Sequence, residues 1–137
     1  MSETKTLTFV FMDPPFENER TVTFFRLLDT ALDRDINVRI FAYEGAVTLS
    51  FARQQRHGNA GHGRDTDEEA HPLTREWIAS LQNKASSRGL QFEWINCGLC
   101  VDERGVNEVI EGCGRGGPPD LWRYATTAFN ILTIGTR

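Results

Sequence analysis

A chain of 137 residues, 39% hydrophobic and 25% charged, has enough material for one buried core and the make-up of an ordinary globular domain. Its 19 acidic against 15 basic side chains leave a net charge of -4, which gives no electrostatic support to a direct nucleic-acid partner. The apolar run near the start is too short for a secretory signal and lacks a basic flank, and no run reaches membrane-spanning length, so the expected location is cytoplasmic, with no membrane partner.

Leu7 to Met12 is a continuous apolar run, the pattern of a strand buried on both faces in a parallel sheet. Asp13-Pro14-Pro15-Phe16 stops it, because proline lacks the ladder N–H and restricts the residue before it. Glu19 to Leu32 is an amphipathic helix with Val22, Phe25, Leu28, Ala31 and Leu32 on one face, widened by Phe24. Asn37 to Tyr43 is a second strand, Val38, Ile40 and Ala42 alternating with Arg39, Phe41 and Tyr43. Ala46 to Ala52 is expected as a short helix.

The composition then changes. Arg53 to Pro72 has no apolar period and contains Gly58, Gly61 and Gly63, so it is expected as a polar loop insertion. Loops of this length are lids, binding loops or insertions. His57, His62 and His71 all lie in it, near the run Asp65-Thr66-Asp67-Glu68-Glu69. They are either idle in solvent or gather a divalent metal. Leu73 to Arg88 is the next helix, with Thr74 as N-cap, a stripe of Trp77, Ile78, Leu81 and Ala85, and Gly89 as its stop.

Leu90 to Asn96 is a buried strand running into Cys97-Gly98-Leu99-Cys100. Val106 to Glu111 is expected as a helical turn or two. Gly112 to Gly117 is expected as a flexible link, and its glycines lack the spacing of a nucleotide loop. Pro118 and Pro119 open a last helix, with Leu121, Tyr124, Ala125 and Ala128 toward the sheet. Asn130 to Gly135 is the final strand. Strand and helix alternate, which gives an α/β sandwich with a mostly parallel sheet. Without an internal repeat or a dividing linker, residues 1–137 read as one domain with an insertion at about 53–72. Trp77, Trp94 and Trp122 are expected in the core or at subunit contacts.

Chemistry in such sheets collects beyond the carboxyl ends of strands. Cys97 and Cys100 stand there. A sulfur at a strand end, where a helical turn begins, meets unpaired N–H groups that favour the thiolate, and Arg104 adds positive charge nearby. The plain alternative is two small buried hydrophobes. Three cysteines in a chain without an export signal argue against a structural disulfide. Three chemistries remain open for the pair: dithiol–disulfide exchange, metal binding with Cys113 and a loop histidine, and persulfide carriage. Asp13 shares the rim, and a turn-forming role is favoured for it.

The segment Cys97-Gly98-Leu99-Cys100-Val101-Asp102-Glu103-Arg104-Gly105-Val106 resembles the cysteine motif of the DsrE/DsrF-like sulfur-relay family, in the version with both cysteines. The opening strand with Asp13-Pro14-Pro15-Phe16, and Tyr43-Glu44-Gly45-Ala46-Val47, are similar too. The resemblance implies a three-layer α/β sandwich with a five-stranded, mostly parallel sheet, assembled as a dimer, trimer or hexamer. It implies a possible sulfurtransferase that carries sulfane sulfur on Cys97 between donor and acceptor proteins or small thiols. Cys100 would resolve or tune that sulfur, Arg104 would hold the thiolate or cap a turn, and no cofactor or resident metal is called for. The rival reading is a non-enzymatic structural or regulatory oligomer with a zinc-binding or inert cysteine cluster.

Overall fold

The computed structural model describes residues 3–58, 60–65 and 73–135. The strands are β1 (Thr6–Phe11), β2 (Asn37–Ala42), β3 (Phe92–Cys97), β4 (Cys113–Gly116) and β5 (Asn130–Ile134). The helices are α1 (Arg20–Asp33), α2 (Thr74–Ser87), α3 (Gly98–Arg104) and α4 (Pro118–Thr126). The strands make one five-stranded sheet in the order β4-β3-β2-β1-β5, and all four neighbouring pairs run parallel. The expected α/β class, with a five-stranded sheet flanked by helices, is what forms.

The order explains how the faces are covered. Each step from β1 to β2 and from β2 to β3 moves the same way across the sheet, and right-handed crossovers then place α1 and α2 on one face. The return from β4 to β5, beyond β1, moves the other way and carries α4 to the opposite face. Side chains follow this division with the two-residue strand period. Phe9, Phe11, Ile40, Ala42 and Trp94 join Phe24, Phe25, Leu28, Ile78 and Leu81 in the larger core, under α1 and α2. Thr8 points the other way and donates to the Tyr124 carbonyl of α4 at 2.7 Å.

Phe24 is the centre of that core. Its ring stacks on Phe11 at 4.2 Å between centroids and meets Trp94 edge-on at 6.0 Å. Such pairs add to the burial of the rings themselves.

Several boundaries differ from the sequence reading. Ala46 to Ala52 is not a helix; one 3-10 turn, Glu44–Thr48, sits there instead. Thr74 is the first residue of α2 rather than its cap. Its hydroxyl turns away to donate to the Leu49 carbonyl at 2.8 Å, and Glu76 reaches back to the Leu73 N–H. Val106 to Glu111 is not helical either. Gly105, in the left-handed region at φ 64°, ends α3, and Val109 then pairs antiparallel with Phe51. Gly112 to Gly117, expected as a flexible link, contributes β4, which pairs parallel with β3. A ladder needs only backbone groups, so few side chains announce this edge strand. Tyr124 is buried and Leu121 and Ala125 are half-buried as expected, but α4 ends before Ala128. Trp94 is in the core, Trp77 stacks on Phe25 at its margin, and Trp122 is 72% exposed.

Replacing Phe24 with alanine should lower the unfolding free energy by about 3–5 kcal/mol, read from urea denaturation. A loss below about 1 kcal/mol would show that this ring is not central to the core.

Candidate functional site

β3 delivers Cys97 to the rim of the sheet. The residue before it, Asn96, points to the opposite face and is almost wholly buried. Its carbonyl oxygen accepts from Trp94 Nε1 at 2.9 Å, and its amide donates to Ser50 Oγ at 2.9 Å. Alternation then turns Cys97 toward the α4 face, where it is partly exposed. It lines an apolar groove of about 570 Å³ with Val10, Met12, Phe41, Tyr43, Leu121 and Trp122.

Cys97 is the N-cap residue of α3, the place expected for it, but its side chain makes no capping hydrogen bond to the first-turn N–H groups. Cys100, one turn on, is only 8% exposed and belongs to a small cluster with Val47 and Val101. Its sulfur accepts the backbone N–H of Glu44 at 3.1 Å. Glu44 holds this N–H in place from the left-handed region, at φ 52°, an uncommon conformation for a residue with a side chain. Burial, followed by the hydrogen bond with Cys97, pushes the Cys100 thiol up, against the opposing pull of the Glu44 N–H and the Arg104 charge. The two cysteines therefore differ: one opens on the groove, and the other is a buried thiol beside it.

Arg104 reaches back along α3 and donates to the Cys100 carbonyl at 3.2 Å. The geometry is that of a side chain capping its own helix, one of its two expected roles. Asp13 is buried and paired with Arg20 at 2.6 Å, so its carboxylate anchors the turn after β1. Arg104, Asp13, Glu44 and Thr48 border a separate polar cleft of about 310 Å³.

Cys113 does not join the other two. It pairs with Trp94 in the β3–β4 register, while Cys97 pairs with Gly116, so it lies three residues down the strand. Two-residue alternation from Gly116 turns Cys113 to the other face. There it packs against the larger core, and burial pushes its thiol up to about 12 despite a hydrogen bond with Ser50. Among the described residues no group of three or more histidine, cysteine or acidic side chains could hold a metal. His57 and His62 are exposed, whereas His71 and the acidic run at 66–69 lie outside the described residues.

Sequence reasoning missed two participants. The first is the Glu44 N–H; its position just after β2, on the same rim, was the available signal. The second is Arg115 on β4, whose Nη1 and Nη2 donate to the two Asp102 carboxylate oxygens at 2.8 and 2.6 Å. Its guanidinium also lies against Gly98, the residue after Cys97: a β-carbon there would stand 2.8 Å from Nε.

A model of the DsrE/DsrF-like family matches residues 5–134, nearly the whole chain, cysteine turn included. The chain belongs to the DsrE/DsrF-like family. The resemblance in the cysteine segment is thus that of a member of this sulfur-relay family. Solved structures agree on the fold. The crystal structure of the ychN protein from E. coli superposes with a TM-score of 0.67 at 18% identity, covering 96% of this chain and 99% of that one. A conserved protein of unknown function from Bacteroides thetaiotaomicron gives 0.58 at 13% identity, with 95% of each chain covered. Among curated proteins no sequence matches this DsrE-like chain. No helix among its described residues is long and apolar enough to cross a membrane.

Thiol labelling of the native protein with iodoacetamide near pH 8 should modify Cys97 faster than Cys113, whose packing against the core and raised thiol slow it, as read by peptide mass spectrometry. Cys113 labelled as fast as Cys97 would contradict the burial described above.

Proposed function

We propose that this DsrE-like protein is a cytoplasmic persulfide carrier, a sulfurtransferase that accepts sulfane sulfur on Cys97 and passes it to an acceptor protein or small thiol. One observation carries the reading: the family's first motif cysteine is partly exposed at the end of β3 and opens on an apolar groove. A sulfur reached from such a groove is open to a donor's persulfide while water is partly kept away.

In the loading step the Cys97 thiolate attacks the outer sulfur of a donor R–S–SH. The donor's S–S bond breaks, a new S–S bond forms at Cys97, and R–S⁻ leaves and takes up a proton. Transfer onward repeats the exchange with an acceptor thiolate as the attacking group. Cys100 bears on how long the cargo lasts. As a thiolate it would attack Cys97–S–SH, close a Cys97–Cys100 disulfide and release HS⁻. Burial keeps it as the thiol, a poor nucleophile, which favours carriage over release. Arg104, bonded to the Cys100 carbonyl, holds the turn in shape.

The rest of the α4 face supports a homo-oligomer. Trp122, Phe129 and Ile131 are exposed along α4, the turn after it and β5, the kind of apolar patch that marks an interaction surface.

The test is incubation with glutathione persulfide followed by intact and peptide mass spectrometry. One added sulfur atom is expected on Cys97, lost in Cys97→Ser and kept in Cys113→Ser. A sulfur adduct that survives Cys97→Ser would overturn the assignment. In Cys100→Ser the adduct should persist at least as long as in the unsubstituted protein; faster loss would show that Cys100 protects the cargo rather than threatening it.

A further inference from the structure

The geometry points to Arg115 as the positioning residue of the cysteine turn: paired with Asp102 and lying across Gly98, it sets the charge that Cys97 and its sulfur cargo meet. This deepens the carrier reading and rests on it for the cargo. The sequence offered Arg104 for the task, but Arg104 turns to a carbonyl one turn beyond Cys97.

Three placements support the inference. In the β3–β4 register Arg115 pairs with Asn96, so its side chain starts on the face opposite Cys97 and reaches the cysteine turn through Gly98 and Asp102 of α3. Both terminal nitrogens of its guanidinium are committed to Asp102 on α3, so the ion pair ties α3 to β4 on either side of Gly98. The remaining nitrogen, Nε, is the atom closest to where a side chain at position 98 would begin. Position 98 is glycine without a left-handed backbone, so the turn does not require it; the guanidinium occupies the room. The charges agree with this. Asp102 holds the guanidinium firmly charged, chiefly through the hydrogen bond, and negative charge on Cys97 adds in the same direction.

A thiolate and a persulfide are both anions at this place, and a fixed guanidinium beside the turn attracts either. Asp102 has the opposite influence, since it offsets part of that charge. The pair is exposed, so its contribution to folding is small and its electrostatic reach is modest. The other charged or titratable groups on the elements around Cys97 are Glu93 on β3 with Arg39 on β2, Cys100, Glu103 and Arg104 on α3, Tyr43 and Glu44 after β2, Asp13 with its partner Arg20, and Asp120 with Arg123 on α4. They are unchanged across the variants below and cancel in the comparison.

A purely structural clamp and an electrostatic one make opposite predictions. If Arg115 and Asp102 only hold the turn together, removing either should act alike. If the charge matters, Arg115→Gln and Asp102→Asn should act in opposite directions. The measurement is the rate of Cys97 labelling by iodoacetamide as a function of pH, resolved by peptide mass spectrometry, on the folded full-length protein. Arg115→Gln should move the midpoint of the profile to higher pH and slow labelling at pH 7 by about two- to threefold. Asp102→Asn should move the midpoint to lower pH and speed labelling about twofold or more. Arg115→Lys, which keeps the charge but loses the fork, should stay close to the parent profile. Shifts of the same sign in Arg115→Gln and Asp102→Asn, or a Lys variant as slow as the Gln variant, would overturn the proposal. Glutathione persulfide loading of the same proteins separates the two claims. If the unsubstituted protein takes up no sulfur, the carrier reading fails, while the labelling profiles still decide the role of Arg115. If it loads normally and the labelling shifts share one sign, only the Arg115 proposal fails.

Discussion

The buried hydrogen bonds of Asn96 set the direction of the Cys97 sulfur. An amide held by Trp94 on one side and Ser50 on the other cannot leave its place without stranding polar atoms in an apolar interior, a cost of about 1–3 kcal/mol for each lost partner. Because strand residues alternate, fixing Asn96 inward fixes Cys97 outward. Ser50 extends the control further. Its carbonyl accepts from Ile110 at 3.0 Å, which seats the 106–111 segment, and its hydroxyl touches the Cys113 thiol. One polar network under the sheet end therefore sends Cys97 outward and holds Cys113 against the core, while Cys100, a turn further along, is buried beside Val47 and Val101.

Topology supplies the rest of the setting. The chain lays down β1 to β4 in one direction and then returns past β1 to place β5. Right-handed crossovers leave one helix, α4, for the face on which Cys97 opens. One short helix cannot cover five strands, and the groove beside Cys97 is the part left over. Arrangement of the strands and accessibility of the sulfur are thus the same fact seen at two scales.

Much of this was legible in the residues. LTFVFM marks a buried strand by its apolar content and NVRIFAY marks another by its alternation, and the stripe of α1 follows the helical period through Phe25, Leu28 and Leu32. The cysteine turn stood out because the thiols follow such a strand. The failures have physical causes. CGRG has no apolar alternation because β4 is a short edge strand held in the sheet mainly by its backbone ladder. Val106, Val109 and Ile110 have helical spacing by coincidence; Gly105 ends α3 before them and Phe51 offers a strand-like partner instead. Thr74 looked like a cap, yet its hydroxyl is needed by the Leu49 carbonyl across the chain. Arg104, near in sequence, takes the capping role through the Cys100 carbonyl, while Arg115 reaches Gly98 from a strand that was itself hidden.

The close approach of Arg115 to Gly98 has an evolutionary corollary. An alanine methyl at position 98 would push the guanidinium aside and strain its bidentate grip on Asp102. Three positions on two elements are therefore bound by steric exclusion and charge together, and a lineage that enlarges the residue after the first cysteine should have to relinquish or relocate the arginine in the same history.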